Sequence, residues 1–423
     1  MSQLRVCFLV ENLPLAGGVA AFVSHARGLA ADHGAEVTFA LTVEDLERSP
    51  EHDLETIEVI SLSEARRRRY DIAIATWWQT AFEVFTVPAE RHAFFIQSLE
   101  DRFYAADRPQ RVQAAVALGL PVAFITEATW IRDTLAELRP DAPCRLVRNG
   151  IDKEVFASPA EPDESRDQPL RILVEGHPGV GHKGVSEAIA AISRMVRPQR
   201  TSFVVAEPGA FADDPPGEVV GPLSLREMSD LYGRTDVVLK TSRVEGMYGP
   251  PLEGFHRGAT CVTTPVTGHE EYIRHRENAI VVDWDDPGGT ARWLDSLELD
   301  RDLLHELRRG ALDTAREWPS WRESTEVFSA ALADILEQPP PAAGAGAAYV
   351  GAVLETHAAE LARSQRRLVA DADWMLNVRD SSATELMARW RREGGSGSEL
   401  ASAMASAGAR RIRGALRRRD PNG

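Results

Sequence analysis

Short, almost uninterrupted apolar runs alternate along this chain with stretches whose apolar residues recur every three or four positions. The runs begin with Leu4 to Val10. They continue at Val37 to Leu41, Ile57 to Ile60, Ile72 to Thr76, Ala93 to Ile96, Val122 to Thr126 and Arg145 to Val147. From Val19 to His33 the spacing is helical and puts Phe22, Ala26 and Leu29 on one face. A strand that is apolar on both faces needs cover on both, so such runs separated by helices predict a parallel sheet between two helical layers. A polar, proline-containing stretch at 157 to 169 interrupts the pattern, which then resumes. LRILVEG, TSFVVAE, DVVLK, ATCVTT and NAIVVDW read as strands. Helices are expected from Val185 to Met195, near Leu225 to Leu231, and through Pro287 to Glu337. The predicted class is α/β, with two doubly wound Rossmann-like domains at 1–160 and 168–338. A linker and a helical, Arg-rich tail at 339–423 follow. In that tail Leu354, Leu361, Leu368 and Met375 recur at seven, but their heptad partners Val350, His357, Ser364 and Asp371 are mostly polar. A helix on the protein's own surface therefore fits better than a coiled coil.

The chain has 423 residues, which at about 150 per domain agrees with two domains and a tail. Its hydrophobic share of 43% and charged share of 26% exclude wholesale disorder. A formal net charge of −16 argues against non-specific nucleic-acid binding. No run is long enough for a spanning helix, and the N-terminus lacks the pattern of a secretory signal. Cys7, Cys144 and Cys261 are odd in number and far apart, which suits a reducing compartment better than a disulfide framework or a zinc site. A cytoplasmic location is expected. Lysine occurs only at Lys153, Lys183 and Lys240 in an otherwise arginine-using chain. Each of the three is therefore a candidate for a position that needs a compact ammonium rather than a planar guanidinium.

Candidate chemistry gathers at strand ends, where open α/β sheets bind ligands. VEGHPGVGHKGV follows the strand ending at Val174. It is not a nucleotide-hydrolysing phosphate loop, because His182 precedes Lys183 and Gly184 stands where a Ser or Thr would hold magnesium. What remains is a glycine-rich turn with a lysine at a helix entrance, suited to an anion. The segment from Val238 to Ile273 carries Lys240, Glu245, Gly246, Gly249, Pro250, Pro251 and Glu253. Its glycines and prolines break any continuous helix between the two acids, so Glu245 is expected in a loop and Glu253 in a first helical turn. Two carboxylates there can accept bonds from sugar hydroxyls while N–H groups near 249 to 252 face a phosphate. Gly17 and Gly18 open the first helix. Arg66 to Arg69 read as a solvated face, and Asp283, Asp285 and Asp286 as loop carboxylates. His25, His33, His92 and His269 read as surface or core residues. Trp77 and Trp78 are suited to stacking on a sugar ring or to core packing.

Gly17-Gly18, Asn149-Gly150-Ile151-Asp152, Lys183-Gly184 and the Glu245-x7-Glu253 pair occur in one order. Together they resemble family-4 glycosyltransferases of the GT-B fold over about residues 4 to 336. ATWWQTAF and FFIQSLEDRFY further resemble rhamnosyltransferase-like enzymes of bacterial surface-polysaccharide assembly. The resemblance implies two domains facing a cleft and transfer of a sugar from a nucleotide-diphosphate donor to a glycan or lipid-linked acceptor. It implies retention of configuration and a nucleotide-linked sugar as substrate, dTDP-, GDP- or UDP-linked. No Asp-x-Asp is clearly suited to a divalent ion, and Lys183 with the N–H groups near 249 to 252 can meet the phosphate charge, so no metal and no further cofactor are expected. By the resemblance, Lys183 contacts the donor diphosphate, Glu253 the ribose and Glu245 the transferred sugar, with Lys183 and Glu245 catalytic. Gly17, Gly18, His177, Lys240, Gly246 and Gly249 complete the donor site, and Trp78, Gln97 and Glu100 face the cleft from the acceptor side. His177 stands where the family often has arginine, and Tyr248-Gly249 where Gly-Leu is more frequent. The Arg-rich C-terminus is a candidate for peripheral contact with anionic lipid. A sugar-nucleotide epimerase or phosphorylase of the same architecture, or a non-catalytic scaffold of a glycan assembly complex, are the competing readings.

Overall fold

The computed structural model describes residues 3–14, 17–43, 52–163, 168–205, 209–211 and 214–379. Seven strands form the first sheet: β1 (Arg5–Val10), β2 (Glu36–Leu41), β3 (Glu58–Ser61), β4 (Tyr70–Ala75), β5 (Ala89–Ile96), β6 (Ala123–Thr126) and β7 (Cys144–Leu146). Six form the second: β8 (Leu170–Glu175), β9 (Gln199–Val204), β10 (Glu218–Val220), β11 (Val237–Lys240), β12 (Thr260–Thr263) and β13 (Ala279–Val281). The helices are α1 (Gly17–His33), α2 (Leu62–Ala65), α3 (Trp78–Glu83), α4 (Pro109–Ala117), α5 (Thr129–Leu138), α6 (Val185–Ile192), α7 (Leu225–Gly233), α8 (Gly249–His256), α9 (Pro287–Leu299), α10 (Arg301–Glu317), α11 (Trp321–Glu337) and α12 (Ala345–Arg379).

Both sheets are parallel throughout, in the orders β3-β2-β1-β4-β5-β6-β7 and β10-β9-β8-β11-β12-β13. Each order reverses direction beside its first strand, so each sheet has a crevice at the carboxyl ends of a central pair: β1 and β4, then β8 and β11. The expected strands lie on these elements within a few residues. β10 was not anticipated. It is a three-residue edge strand whose Glu218 and Val219 are exposed, so no buried run marks it.

The path of the chain links the lobes. Helix α11, grouped by sequence with the second domain, completes the core of the first: Phe328, Ala331, Leu332 and Ile335 pack with Phe8, Phe39 and Phe95. Phe328 lies flat on the buried His25 ring, with centroids 4.4 Å apart and planes at 22°. The chain therefore passes between lobes twice, side by side. Ile151 N–H donates to Pro319 O at 3.1 Å, Trp321 N–H to Ile151 O at 3.3 Å, and the Trp318 indole to Asn149 O at 2.9 Å. Gly150 sits in this seam, and a Cβ there would come within 2.4 Å of the Trp321 backbone.

The chain divides into two units, Met1–Tyr349 and Val350–Gly423. Within the first, Tyr349 donates its hydroxyl to Val116 O at 2.8 Å. The second continues α12, with Leu354, Leu368 and Val369 exposed. The Arg-rich stretch at 410–423 lies outside the described residues. Among those residues, no helix is long and apolar enough to cross a membrane.

Candidate functional site

The crevice of the second sheet is built by two loops pinned to each other. After β8 the backbone turns through Gly176 (φ +141°) to Gly184 (φ +71°), conformations that side chains disfavour. A Cβ on Gly184 would lie 1.9 Å from Thr241 O, so only glycine lets the turn rest on the end of β11. Thr241 donates its hydroxyl to Gly184 O at 2.6 Å and Arg243 its N–H to His182 O at 2.7 Å. This fixes Lys183 opposite the loop after β11.

There the Lys183 ammonium donates to both carboxylate oxygens of Glu245, each at 3.1 Å. Lys240, at the last residue of β11, is 1% exposed. It donates to the Glu175 carboxylate and to Glu175 O, and its Nζ lies 3.9 Å from Glu245 Oε1. Burial opposes the charged form of Lys240, but Glu175 and Glu245 outweigh it and raise its pKa. Burial likewise works to raise Glu175, yet Lys240 and Lys183 prevail and hold its carboxyl below the usual range. Two ammonium groups and two carboxylates thus form one continuous network. Glu175 was not singled out from the sequence, although a lysine ending an apolar strand calls for a buried acid beside it.

Helix α8 begins at Gly249 and carries Pro250 and Pro251 in its first turn. Proline has no N–H, so the anion-facing donors expected over 249 to 252 reduce to those of Gly249 and Leu252. The helix dipole still favours negative charge there. Glu253 is half-buried and makes no ion pair among the described residues; burial pushes its carboxyl up to about 7. Its Oε1 is 3.5 Å from where a Gly249 Cβ would stand. Tyr248 is buried, its hydroxyl 2.6 Å from Thr263 Oγ1, so it packs beneath the loop. His177 accepts the Gly179 N–H at Nδ1 (3.0 Å) and stays on its own turn.

The first lobe closes directly on this loop. A Cβ on Gly246 would stand 1.7 Å from Gln97 O, and Gln97 in turn donates its side-chain amide to Gly18 O at 2.9 Å. Gly18, Gln97, Gly246, Glu245 and Lys183 are thereby brought into one chain of contacts, with Gly17 next to it at the start of α1. Trp78 and Glu100 are placed differently. They are 6% and 4% exposed and partner each other, Glu100 accepting the Trp78 N–H at 2.7 Å. Burial drives Glu100 well above the usual carboxylate range. Trp77 and Phe103 are half-exposed and stacked with centroids 6.1 Å apart, and Phe103 reaches the His182 ring at 5.6 Å. Further interlobe bonds run from Trp130 Nε1 to Gly246 O (2.8 Å), from Arg102 to Thr267 Oγ1 (2.8 Å), and from Thr129 and Arg148 to Glu271. Sequence reading missed these because each joins residues far apart in the chain. Among the loop acids, Asp285 pairs with Arg243, and Asp286 caps α9 through the Gly289 N–H at 2.7 Å. Among the described residues no cluster of His, Cys, Asp or Glu is arranged to hold a metal.

Residues 181–298 match the family described as Glycosyl transferases group 1. This span includes Lys183, Lys240, Glu245 and Glu253. The O-antigen biosynthesis protein RfbC of Myxococcus xanthus is 26% identical over 234 residues, which is 54% of this chain. The aligned segment spans only 18% of that relative's length. HepE of Anabaena, solved with UDP-glucose, superposes with a TM-score of 0.64 over 78% of this chain and all of that one, at 14% identity. Sucrose-phosphate synthase of Thermosynechococcus elongatus gives 0.62 over 79% of this chain and 99% of its own, at 12% identity. WaaG, a glycosyltransferase of lipopolysaccharide biosynthesis, gives 0.58 over 79% and 100%, at 15%. The chain thus has the GT-B fold, two Rossmann-like domains facing a cleft, and its second domain contains a segment that matches the glycosyl transferases group 1 family.

Proposed function

We propose that this protein moves a sugar, a hexosyl or rhamnosyl group, from a nucleoside-diphosphate donor to a glycan or lipid-linked acceptor in cell-envelope polysaccharide assembly. The observation that carries the reading is the Lys183–Glu245–Lys240–Glu175 network, set at the crevice of a Rossmann sheet beside the start of α8. A leaving diphosphate develops negative charge. Lys183 and the positive end of α8 meet that charge in a partly enclosed cleft, where such electrostatic help is strongest. They supply it without a metal ion, so chelators should leave turnover unchanged.

In this reading Glu245 accepts bonds from hydroxyls of the transferred sugar and Glu253 from the ribose. The reaction retains configuration by front-face attack. The bond from the anomeric carbon to phosphate oxygen breaks, the acceptor oxygen takes its place, and the acceptor's proton passes to the departing phosphate. The Trp77–Phe103 stack offers a flat apolar face for an acceptor ring close to His182 and Lys183. Lobe closure excludes water and limits donor hydrolysis.

The relative from an O-antigen system and the neighbour solved with UDP-glucose support the donor class and the setting. A thermal-shift panel of UDP, GDP and dTDP tests the reading, since a ligand that binds only the folded state raises the melting temperature. One of them should do so in the wild type and fail to do so in Lys183→Ala. A flat panel overturns the assignment.

A further inference from the structure

Glu127 is a buried acid that the donor site leaves unexplained. It stands between β6 and α5 in the first lobe, is 4% exposed, and divides its carboxylate between two distant parts of the molecule. Oε1 accepts the Met247 N–H at 3.0 Å, two residues beyond Glu245. Oε2 accepts from the Asn149 side-chain amide, in the seam where the chain crosses between lobes. Trp130, three residues further on, donates to Gly246 O. The loop that carries Glu245 is therefore held from the first lobe at two successive residues.

An apolar side chain would fill this space without the cost of burying a carboxyl. Burial, against the pull of the Met247 and Asn149 donors and with Glu245 and Glu271 near, pushes Glu127 up to about 8. A group kept at such cost, where it joins seam to loop, has a task other than packing.

We propose that Glu127 is a positioning residue that ties the Glu245–Met247 loop to the interlobe seam at Asn149, so that lobe closure and placement of Glu245 occur together. What Glu245 does rests on the donor-site reading; the tie itself does not.

Hydrogen–deuterium exchange on the full chain, followed at the peptide containing Met247, tests it. Glu127→Ala should speed exchange there about tenfold while the amides of β8 and β11 keep wild-type rates. Glu127→Gln keeps a carbonyl for the Met247 N–H and should stay within about threefold of wild type. Unchanged exchange in Glu127→Ala, or equal acceleration across β8 and β11, overturns the proposal. Should Glu127→Ala not fold, Asn149→Ala carries the test, and a wild-type rate at Met247 in that variant overturns it. Whichever of UDP, GDP or dTDP raises the melting temperature should slow Met247 exchange further in the wild type and not in Glu127→Ala. No effect of any of the three on the wild type, beside the expected ligand-free rates, upholds the tie and counts against the donor reading alone.

Discussion

Lys183 reaches both oxygens of Glu245 at 3.1 Å although the two residues stand 62 positions apart on different loops. A glycine turn of positive φ on one side and the carbonyl of Thr241 on the other fix that geometry. It places a half-exposed cation where it can exchange a protein carboxylate for a phosphate with little movement.

Lys183→Ala should lower sugar transfer by about two to three orders of magnitude, the usual cost of losing one preorganised group at a developing oxyanion. Its ammonium is half-exposed, so the melting temperature should change little. Steady-state kinetics and a thermal melt on the same preparation check both halves, and unimpaired transfer would remove Lys183 from the chemistry.

Lys240→Ala should behave in the opposite way. Removing a 1% exposed ammonium takes from buried Glu245 and half-buried Glu175 their shared partner. Breaking a fully buried pair typically costs about 3–5 kcal/mol. With Glu175 partly exposed and Lys183 still on Glu245, the loss here should be about 1–3 kcal/mol. Urea unfolding measures this; a loss below about 1 kcal/mol would mean the two acids find other partners.

Glu253 gives a pH signature. Its folded pKa of about 7 lies above its unfolded value, so the native state binds the extra proton and stability falls as pH rises from about 4.5 towards 7. Glu253→Gln should therefore be more stable than wild type at pH 8, by about 1–3 kcal/mol, with the gain vanishing near pH 4.5. Ribonucleoside-diphosphate affinity should run the other way. It needs the ionised acceptor, so it weakens in wild type as pH drops through 7 and is poor in the variant throughout. Calorimetry at pH 6 and 8 decides.

Gly150→Ala forces a methyl to within 2.4 Å of the Trp321 backbone, and both strands of the seam resist displacement. Overpacking of this kind costs about 1–3 kcal/mol. The variant should also be nicked faster by protease near 148–152, readable by mass spectrometry; wild-type resistance would show that the seam gives way freely.

Much of this architecture was legible in the apolar runs, because a parallel strand buried on both faces writes an unbroken hydrophobic word. The three-residue β10 writes none. Glycine and proline likewise announced the loops at 176–184 and 246–251. Why Gly246 must be glycine depends on Gln97 O, which no local pattern reveals. Glu175 could have been inferred from Lys240, since a buried cation requires an anion. Glu127 could not: TEAT is an unremarkable strand exit, and its meaning lies in Met247, 120 residues on. The missing N–H groups at Pro250 and Pro251 were visible in the letters and needed only the covalent structure of proline.

The placement of α11 has a consequence for how this protein is made. Phe328, Leu332 and Ile335 are synthesised after every strand of the second sheet, yet they seal the first. A nascent chain ending near residue 160 presents Phe8, Phe95 and the His25 ring uncovered, and must hold that surface in check until the ribosome has moved well past Glu337. Expression of the first lobe alone should yield aggregates unless the 321–337 segment is supplied, tethered or as a separate peptide.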